Sequence, residues 1–327
     1  MRYKYVQIAA EVGVSVSTVS LALRGLKGPS EDTRRRVFDA AQRIGYFPAI
    51  LNPKAAIILR SDRQGGELFE ALRADPFYAL VLAGIEARAR ALRLRLDTGR
   101  SPGDVGPYGT VCLGRPVTEY PDCPPGAGPV VLVNDADFRF DHVVTQDEAG
   151  ADMAINHLVD RVPAGQGIAV VAGPGNHGAY GRRLKGAVAA LQDRGRFDPT
   201  LVFSLPSGGC RIAYAGGAGR DAARWMLDRL AGVGGVFVYN DLAAASLLTE
   251  LTAHGVRVPE GVKLVGFEDA LGTPGPTVPL STVRVDHASM GAWAVDLLLL
   301  RLMEPDRPPT GVTVGVSLVV RRSSEAA

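Results

Sequence analysis

Val6-Gln-Ile-Ala-Ala-Glu-Val-Gly-Val-Ser-Val-Ser-Thr-Val-Ser20 is a run in which two short amphipathic segments meet at a glycine. Val6, Ala9, Ala10 and Val12 make a small apolar stripe at helical spacing, which predicts a first helix over 6–12. Gly13 supplies a tight turn, and Val14 points back to the core. Ser15 is a good N-cap for a second helix reaching about Leu23, with Val19 and Leu23 four apart on one face. Gly25 is placed to stop it. A third helix starts at Ser30 with Glu31 and Asp32 in its positive first turn. It lines one face with Val37, Ala40, Ala41 and Ile44, and ends at Gly45. Two short helices joined by a glycine turn form the helix-turn-helix, whose second helix lies in the DNA major groove. Pattern alone leaves a second reading, a small helical protein-interaction module.

Charge separates this head from the rest. Residues 1–56 carry nine Lys/Arg against four acids, +5, while the remainder is −3 and the whole chain only +2. A basic head on a mildly acidic body suggests a polyanion partner for the head; the bland alternative is a solvated charged face. At 327 residues, two or three units are expected, and 46% hydrophobic with 21% charged residues supports sizeable cores. There is no apolar run of about 18 residues to span a membrane. The N-terminus leads into a polar amphipathic segment rather than an apolar signal core. Cys112, Cys123 and Cys210 form neither a CxxC pair nor an even disulfide set. A reducing cytoplasm is expected.

With Ser30-Glu-Asp-Thr-Arg-Arg-Arg-Val37 and Ile44-Gly-Tyr-Phe-Pro48 added, the opening run resembles the head of a LacI/GalR-family transcriptional regulator. The carrying signature is Gly-Val-Ser-x-x-Thr-Val-Ser followed by Gly-Tyr-x-Pro. The resemblance implies a double-stranded, pseudo-palindromic DNA operator as partner, with Val16 and Ser17 at base-reading positions. Leu21 stands where relatives often carry Arg or His, and a leucine packs on a thymine methyl instead of hydrogen-bonding a base edge. Thr18, Ser20, Ser30, Thr33 and Tyr46 are candidate donors to phosphate, and Tyr5, Ser15 and Arg24 complete the expected DNA-binding set. In the family a hinge helix follows and wedges a leucine into the minor groove. Residues 48–56 depart from that pattern: Ala49 replaces the usual Asn, the wedge position holds Ala55, and Pro53 interrupts a helix begun at Ala49. An intercalating hinge and a plain linker both stay open here.

From residue 57 onward, short apolar runs alternate with helical stretches. Strands are expected at 56–59, 110–113, 130–134, 167–172, 235–239 and 263–267, and helices at 79–92, 149–159, 182–194, 218–231, 242–254 and 288–303. That alternation indicates parallel, doubly wound α/β sheets, whose ligands bind beyond the carboxyl ends of the strands. The resemblance continues through Asp75-Pro-Phe-Tyr78, Arg183-Leu-Lys-Gly186, Tyr239-Asn-Asp-Leu-Ala243, Leu264-Val-Gly-Phe-Glu-Asp269 and Pro279-Leu-Ser-Thr-Val283. It implies a periplasmic-binding-protein-like core of two similar lobes joined by three crossovers. The organisation is then a small all-α helix-turn-helix head (1–47), a linker (48–56) and an effector-binding core (57–327). One lobe is placed at about 57–161 plus 286–310, the other at about 162–285 plus 311–327. The stretch from Asp97 to Thr110 is short for a full helix and strand, so the first lobe looks trimmed.

By the same likeness the cleft carries Phe77, Tyr78 and Asp147 from the first lobe, and Arg183, Tyr214, Asn240, Asp241 and Glu268 from the second. These types suit a polar, sugar-like effector: aromatics stack on a ring, while carboxylates, Asn and Arg pair its hydroxyls or charges. Taken singly, Asn240-Asp241 reads equally well as a helix cap and Phe77 as core. Glu268 replaces the Asp usual in relatives. The rival reading is an NAD(P)-dependent oxidoreductase, because Gly173, Gly175 and Gly178 fit GxGxxG between a strand and a helix. Against it, the unit is internal and no acid ends a second strand at the required distance. The five histidines are dispersed without ligand spacing, so no metal and no cofactor is expected. No leucine-heptad tail follows Arg321, which favours a homodimer over a coiled-coil tetramer.

Overall fold

Gly13 turns the chain at φ +73°, a left-handed conformation that glycine adopts without steric cost. The turn sets α1 (Arg2–Val12) across α2 (Val16–Leu23), and α3 (Glu31–Arg43) closes the head. This is a computed structural model, and it describes residues 2–23, 28–44, 56–60, 75–92, 94–98, 109–113, 129–174, 178–204, 215–270 and 278–325. Ile8, Val12, Val19, Leu23, Val37, Ala40 and Ala41 form a separate small core. Ser15 and Ser30 cap their helices by accepting the backbone N–H of Thr18 at 3.0 Å and of Thr33 at 3.2 Å. Arg36 donates to the Val12 carbonyl at 2.6 Å, and Arg43 pairs with Glu11 at 2.7 Å, so α3 is pinned to α1. The first helix starts four residues earlier than its apolar stripe predicts. Gly25, Gly45 and the linker positions Ala49, Pro53 and Ala55 lie outside the described residues.

The core is two six-stranded sheets. The first holds β1 (Ala56–Arg60), β2 (Arg95–Thr98), β3 (Thr110–Leu113), β4 (Val130–Val133), β5 (Asp141–Thr145) and β11 (Gly311–Val314). The second holds β6 (Gly167–Ala172), β7 (Val202–Ser204), β8 (Val233–Val238), β9 (Lys263–Glu268), β10 (Ser281–Val285) and β12 (Val316–Val319). Their spatial orders are β11-β5-β4-β3-β1-β2 and β12-β10-β9-β8-β6-β7. These are the same order once β1 is matched to β6, β2 to β7 and so on. All pairings are parallel except β10 with β12. The helices are α4 (Pro76–Ala91), α5 (Asp147–Val159), α6 (Gly178–Asp193), α7 (Ala215–Leu227), α8 (Asp241–Ala253) and α9 (His287–Met303).

The helices do not all stay with the sheet that precedes them. α5 leaves β5 of the first sheet but packs on α6, β9, β10 and β12 of the second, while α9 leaves β10 of the second sheet and packs on α4, β3, β4 and β5 of the first. The crossovers therefore fall at Gln146, Asp286 and Gly315. The expected divisions at about 161 and 310 move accordingly: residues 147–159 belong with the second lobe, and β11 belongs with the first. The helix pairs meet closely because glycines face backbone. A Cβ on Gly84 would lie 2.5 Å from the Ala288 carbonyl oxygen, and one on Gly186 2.3 Å from that of Glu148.

Candidate functional site

On the head, Tyr5, Val16, Ser17, Ser20 and Leu21 line one open hollow of about 380 Å3 at the start of α2. Val16 and Ser17 are exposed there, whereas Val19, Ala22 and Leu23 on the opposite side of α2 are buried. The surface offers hydroxyls at its rim and an apolar floor. Ser15 shares a 2.8 Å hydrogen bond with the Thr18 hydroxyl, and Ser30 a 2.9 Å bond with that of Thr33. In each pair one hydroxyl proton stays available for an external acceptor. Arg24 and Tyr46 lie outside the described residues.

Between the lobes, α4 begins at Pro76 because the Asp75 side chain accepts the backbone N–H groups of Phe77 at 2.9 Å and Tyr78 at 3.3 Å. That cap presents Phe77 and Tyr78 on the first turn, their rings edge to face at 5.1 Å. From the other lobe comes Arg183, fully buried on α6. Its Nε donates to Asp147 at 2.9 Å, and its Nη1 donates to the Tyr239 carbonyl at 2.7 Å and to Glu268 at 3.1 Å. The guanidinium carbon stands 3.9 Å from the Phe267 ring centroid. Arg182 holds the other oxygen of Asp147 at 2.9 Å.

Burial penalises these charges, and the partners decide which survive. Burial works against the Arg183 charge, but Asp147 and Glu268 outweigh it and raise its pKa. Burial pushes Glu268 up to about 8; Arg183 pulls it down, while Asp75 and Asp241 push it further up. Asp75 is itself raised by burial, against the two N–H groups it accepts. Glu268 and Asp269 end β9 at φ +115° and +53°, backbone regions that side chains rarely adopt. Three partners hold that shape. Glu268 takes Arg183, and Asp269 takes Arg284 and Arg321, each at 2.7 Å.

Of the expected cleft residues, Asp147, Arg183 and Glu268 form one buried ion-pair cluster, while Phe77 and Tyr78 are buried in the apolar cluster that includes Phe267, the ring beneath Arg183. Asn240 and Asp241 serve structure first. Asn240 caps α8 by accepting the Ala243 N–H at 2.9 Å, and both oxygens of Asp241 are occupied, by the Thr282 hydroxyl at 2.6 Å and the Ala270 N–H at 3.3 Å. Burial lifts Asp241 to about 7. Tyr214 lies outside the described residues. Asp147 arrives on α5 with the second lobe rather than the first. Sequence reasoning passed over Asp75, Tyr180, Tyr239 and His287. Asp75-Pro76 was legible as a cap and N1 pair; nothing in the sequence marks the others.

The glycine-rich loop has other duties. A Cβ on Gly173 would lie 2.6 Å from Tyr180 and 2.8 Å from Tyr239, whose rings pack at 4.7 Å. One on Gly178, at the start of α6, would lie 2.7 Å from the Asp135 carboxylate. Gly175 lies outside the described residues. The same Cβ would lie 3.2 Å from Arg182 Nη1, so this helix start carries a carboxylate and a guanidinium side by side.

Comparison with known proteins gives two family matches: bacterial regulatory proteins of the lacI family over residues 6–49, and the periplasmic binding protein-like domain over residues 165–324. The HTH-type transcriptional regulator CelR of Thermobifida fusca is 29% identical, over 97% of this chain and 96% of its own. A solved CelR–cellobiose complex superposes with a TM-score of 0.69 at 27% identity, over 98% and 99% of the two chains. The lac repressor dimer bound to operator and the anti-inducer ONPF shares the fold, with a TM-score of 0.63 at 22% identity over 98% of each chain. Among the described residues no single helix is long and apolar enough to cross a membrane.

Proposed function

Because this chain belongs to the LacI family of bacterial regulatory proteins, we propose that it is a cytoplasmic, dimeric repressor whose grip on an operator is set by a small sugar-like ligand held between its two core lobes. The observation that carries this reading is the pairing of an exposed helix-two hollow on a basic head with a buried polar cluster between two matching lobes. Two protomers place two heads on the half-sites of a pseudo-palindrome. Val16 and Leu21 meet thymine methyls, and Ser17 and Ser20 meet base edges or phosphates. Cellobiose in the CelR complex supports a sugar for the cleft. Phe77 and Tyr78 supply its apolar wall, and Arg183 with Glu268 its hydrogen bonds. Ligand regulates only through unequal affinity for two lobe arrangements.

Against the oxidoreductase reading, Gly173 makes room for two tyrosine rings and Gly178 faces the Asp135 carboxylate.

The test is selection of bound DNA from a random duplex pool, with the full chain and with a chain lacking residues 1–55. The full chain is expected to enrich a two-fold symmetric site, and the truncated one nothing. Enrichment of no sequence by the full chain overturns the proposal.

A further inference from the structure

Among the described residues, five side chains line the hollow on the head, and none has a fixed hydrogen-bond polarity. Val16 and Leu21 carry no polar side-chain atom. Ser17, Ser20 and Tyr5 carry hydroxyls, each able to donate or to accept. Arginine and lysine only donate and carboxylates only accept, and none of these lines the hollow among the described residues. The four residues from α2 share its outer face: Val16 and Ser20 are four apart, as are Ser17 and Leu21, while Val19, Ala22 and Leu23 turn into the head core. Val16 is 38% exposed and so presents apolar surface outward. Leu21 is half-buried, and its Cδ1 lies 3.6 Å from where a Cβ on Gly28 would stand, beside the turn that leads into α3.

Base edges in the major groove make this composition selective in one respect. Thymine presents an acceptor, O4, where cytosine presents a donor, the N4 amino group; the opposite purines differ likewise, adenine by a donor and guanine by an acceptor. A hydroxyl satisfies either by turning its proton, so Ser17 and Ser20 do not tell the two base pairs apart. Val16 and Leu21 sense the neighbouring carbon instead. A methyl at C5 gives them apolar surface to bury, and a bare C5 does not. Thymine and 5-methylcytosine carry that methyl, whereas uracil and cytosine lack it.

We propose that this surface of α2 reads the C5-methyl group itself, so that 5-methylcytosine replaces thymine at the bases Val16 and Leu21 meet, and cytosine methylation there strengthens the protein's hold on DNA. The proposal rests on the reading of the head as an operator-binding helix-turn-helix, and adds to it a covalent mark on the DNA as an input separate from the cleft ligand. The test uses the full-length protein and the symmetric site selected from random duplexes. At each thymine of one half-site, four duplexes are compared by fluorescence anisotropy at fixed salt: thymine or uracil opposite adenine, and 5-methylcytosine or cytosine opposite guanine. Within each pair the duplexes differ by one methyl and keep the same hydrogen-bonding edge.

At one or more positions both methyl-bearing duplexes are expected to bind about fourfold more tightly than their methyl-free counterparts, the effect of burying one methyl carbon. Val16→Ala and Leu21→Ala are each expected to cut that advantage below about twofold at the base the side chain meets. Leu21→Met, which keeps an apolar contact of similar volume, is expected to retain it. Circular dichroism is expected to show the same helix content in each variant. A methyl advantage missing from both pairs, one seen with thymine but not with 5-methylcytosine, or one that survives both alanine variants overturns the proposal. A chain that selects a site yet ignores the methyl remains an operator-binding regulator, whereas a chain that selects no site fails both readings, so the two failures are told apart.

Discussion

Glu268 carries a conflict that a shorter side chain in an open strand end would avoid. Its backbone sits at φ +115°, a conformation of the kind that costs about 1–3 kcal/mol, and its carboxyl is buried between Arg183 and the repelling Asp75. Burial lifts its pKa from 4.5 to about 8. The folded state therefore holds a proton that the unfolded state has released across that window. The stability this group confers is fully present below about pH 4.5 and is lost as pH rises through 8. Asp241, lifted to about 7, acts in the same sense. His287, lowered from 6.5 to about 4, acts in the opposite one, losing stability as pH falls through that range. Glu268→Gln keeps an oxygen for Arg183 and removes only the Glu268 slope. The Tm of the variant relative to the parent is expected to rise by about 3 °C or more between pH 5 and pH 8.5, since about 1 kcal/mol moves a chain of this size by a few degrees. Scanning calorimetry at the two pH values checks this, and a difference that is flat or falling refutes it.

At the scale of elements, what was legible followed apolar continuity. β3 and β6 occupy the residues their unbroken Thr110–Leu113 and Gly167–Ala172 runs predict, and their residues are almost wholly buried. β5 was not legible because it opens on Asp141 and His142. Asp141 is buried to hold Arg301, Arg307 and the Thr310 N–H, a set of partners that comes from 160 residues or more away in sequence. β2 and β7 were missed as short edge strands. Helical periodicity announced α5 and α9 but not which sheet each covers, since an apolar stripe does not name the surface it meets. That choice is made by small residues. A Cβ on Gly291 would lie 2.3 Å from the Val81 carbonyl and 2.5 Å from the Ile85 nitrogen, so α9 can approach α4 only with glycine there. Gly291→Ala is expected to cost about 1–3 kcal/mol, because backbone has to move to admit one methyl. Urea denaturation measures it, and a loss below about 0.5 kcal/mol would mean that the helices slide apart freely.

For the molecule as a whole, the two lobes repeat one strand order and exchange one helix each, so they are joined only at Gln146, Asp286 and Gly315. Three narrow joints let the lobes rotate while each stays internally rigid. One contact between them away from those joints is Asp135, on the loop after β4, against Gly178 at the start of α6. The Asp135 carboxylate is held by the Ala136 N–H at 2.9 Å, and a Cβ at position 178 would lie 2.7 Å from it. Such a Cβ would also stand 3.2 Å from Arg182 Nη1, which hinders escape on that side. Gly178→Ala is therefore expected to disfavour the closed arrangement, through Asp135 and through Arg182, which holds Asp147 of the buried cluster. A ligand that needs closure then has its apparent dissociation constant divided by the closed fraction, and so binds more weakly. A neutral sugar found to bind the parent is expected to bind the variant roughly 3–10-fold more weakly, about 1 kcal/mol. Small-angle scattering is expected to show a larger radius of gyration for the variant at saturating sugar. If both affinity and radius are unchanged, the Asp135–Gly178 contact is incidental and closure is governed elsewhere.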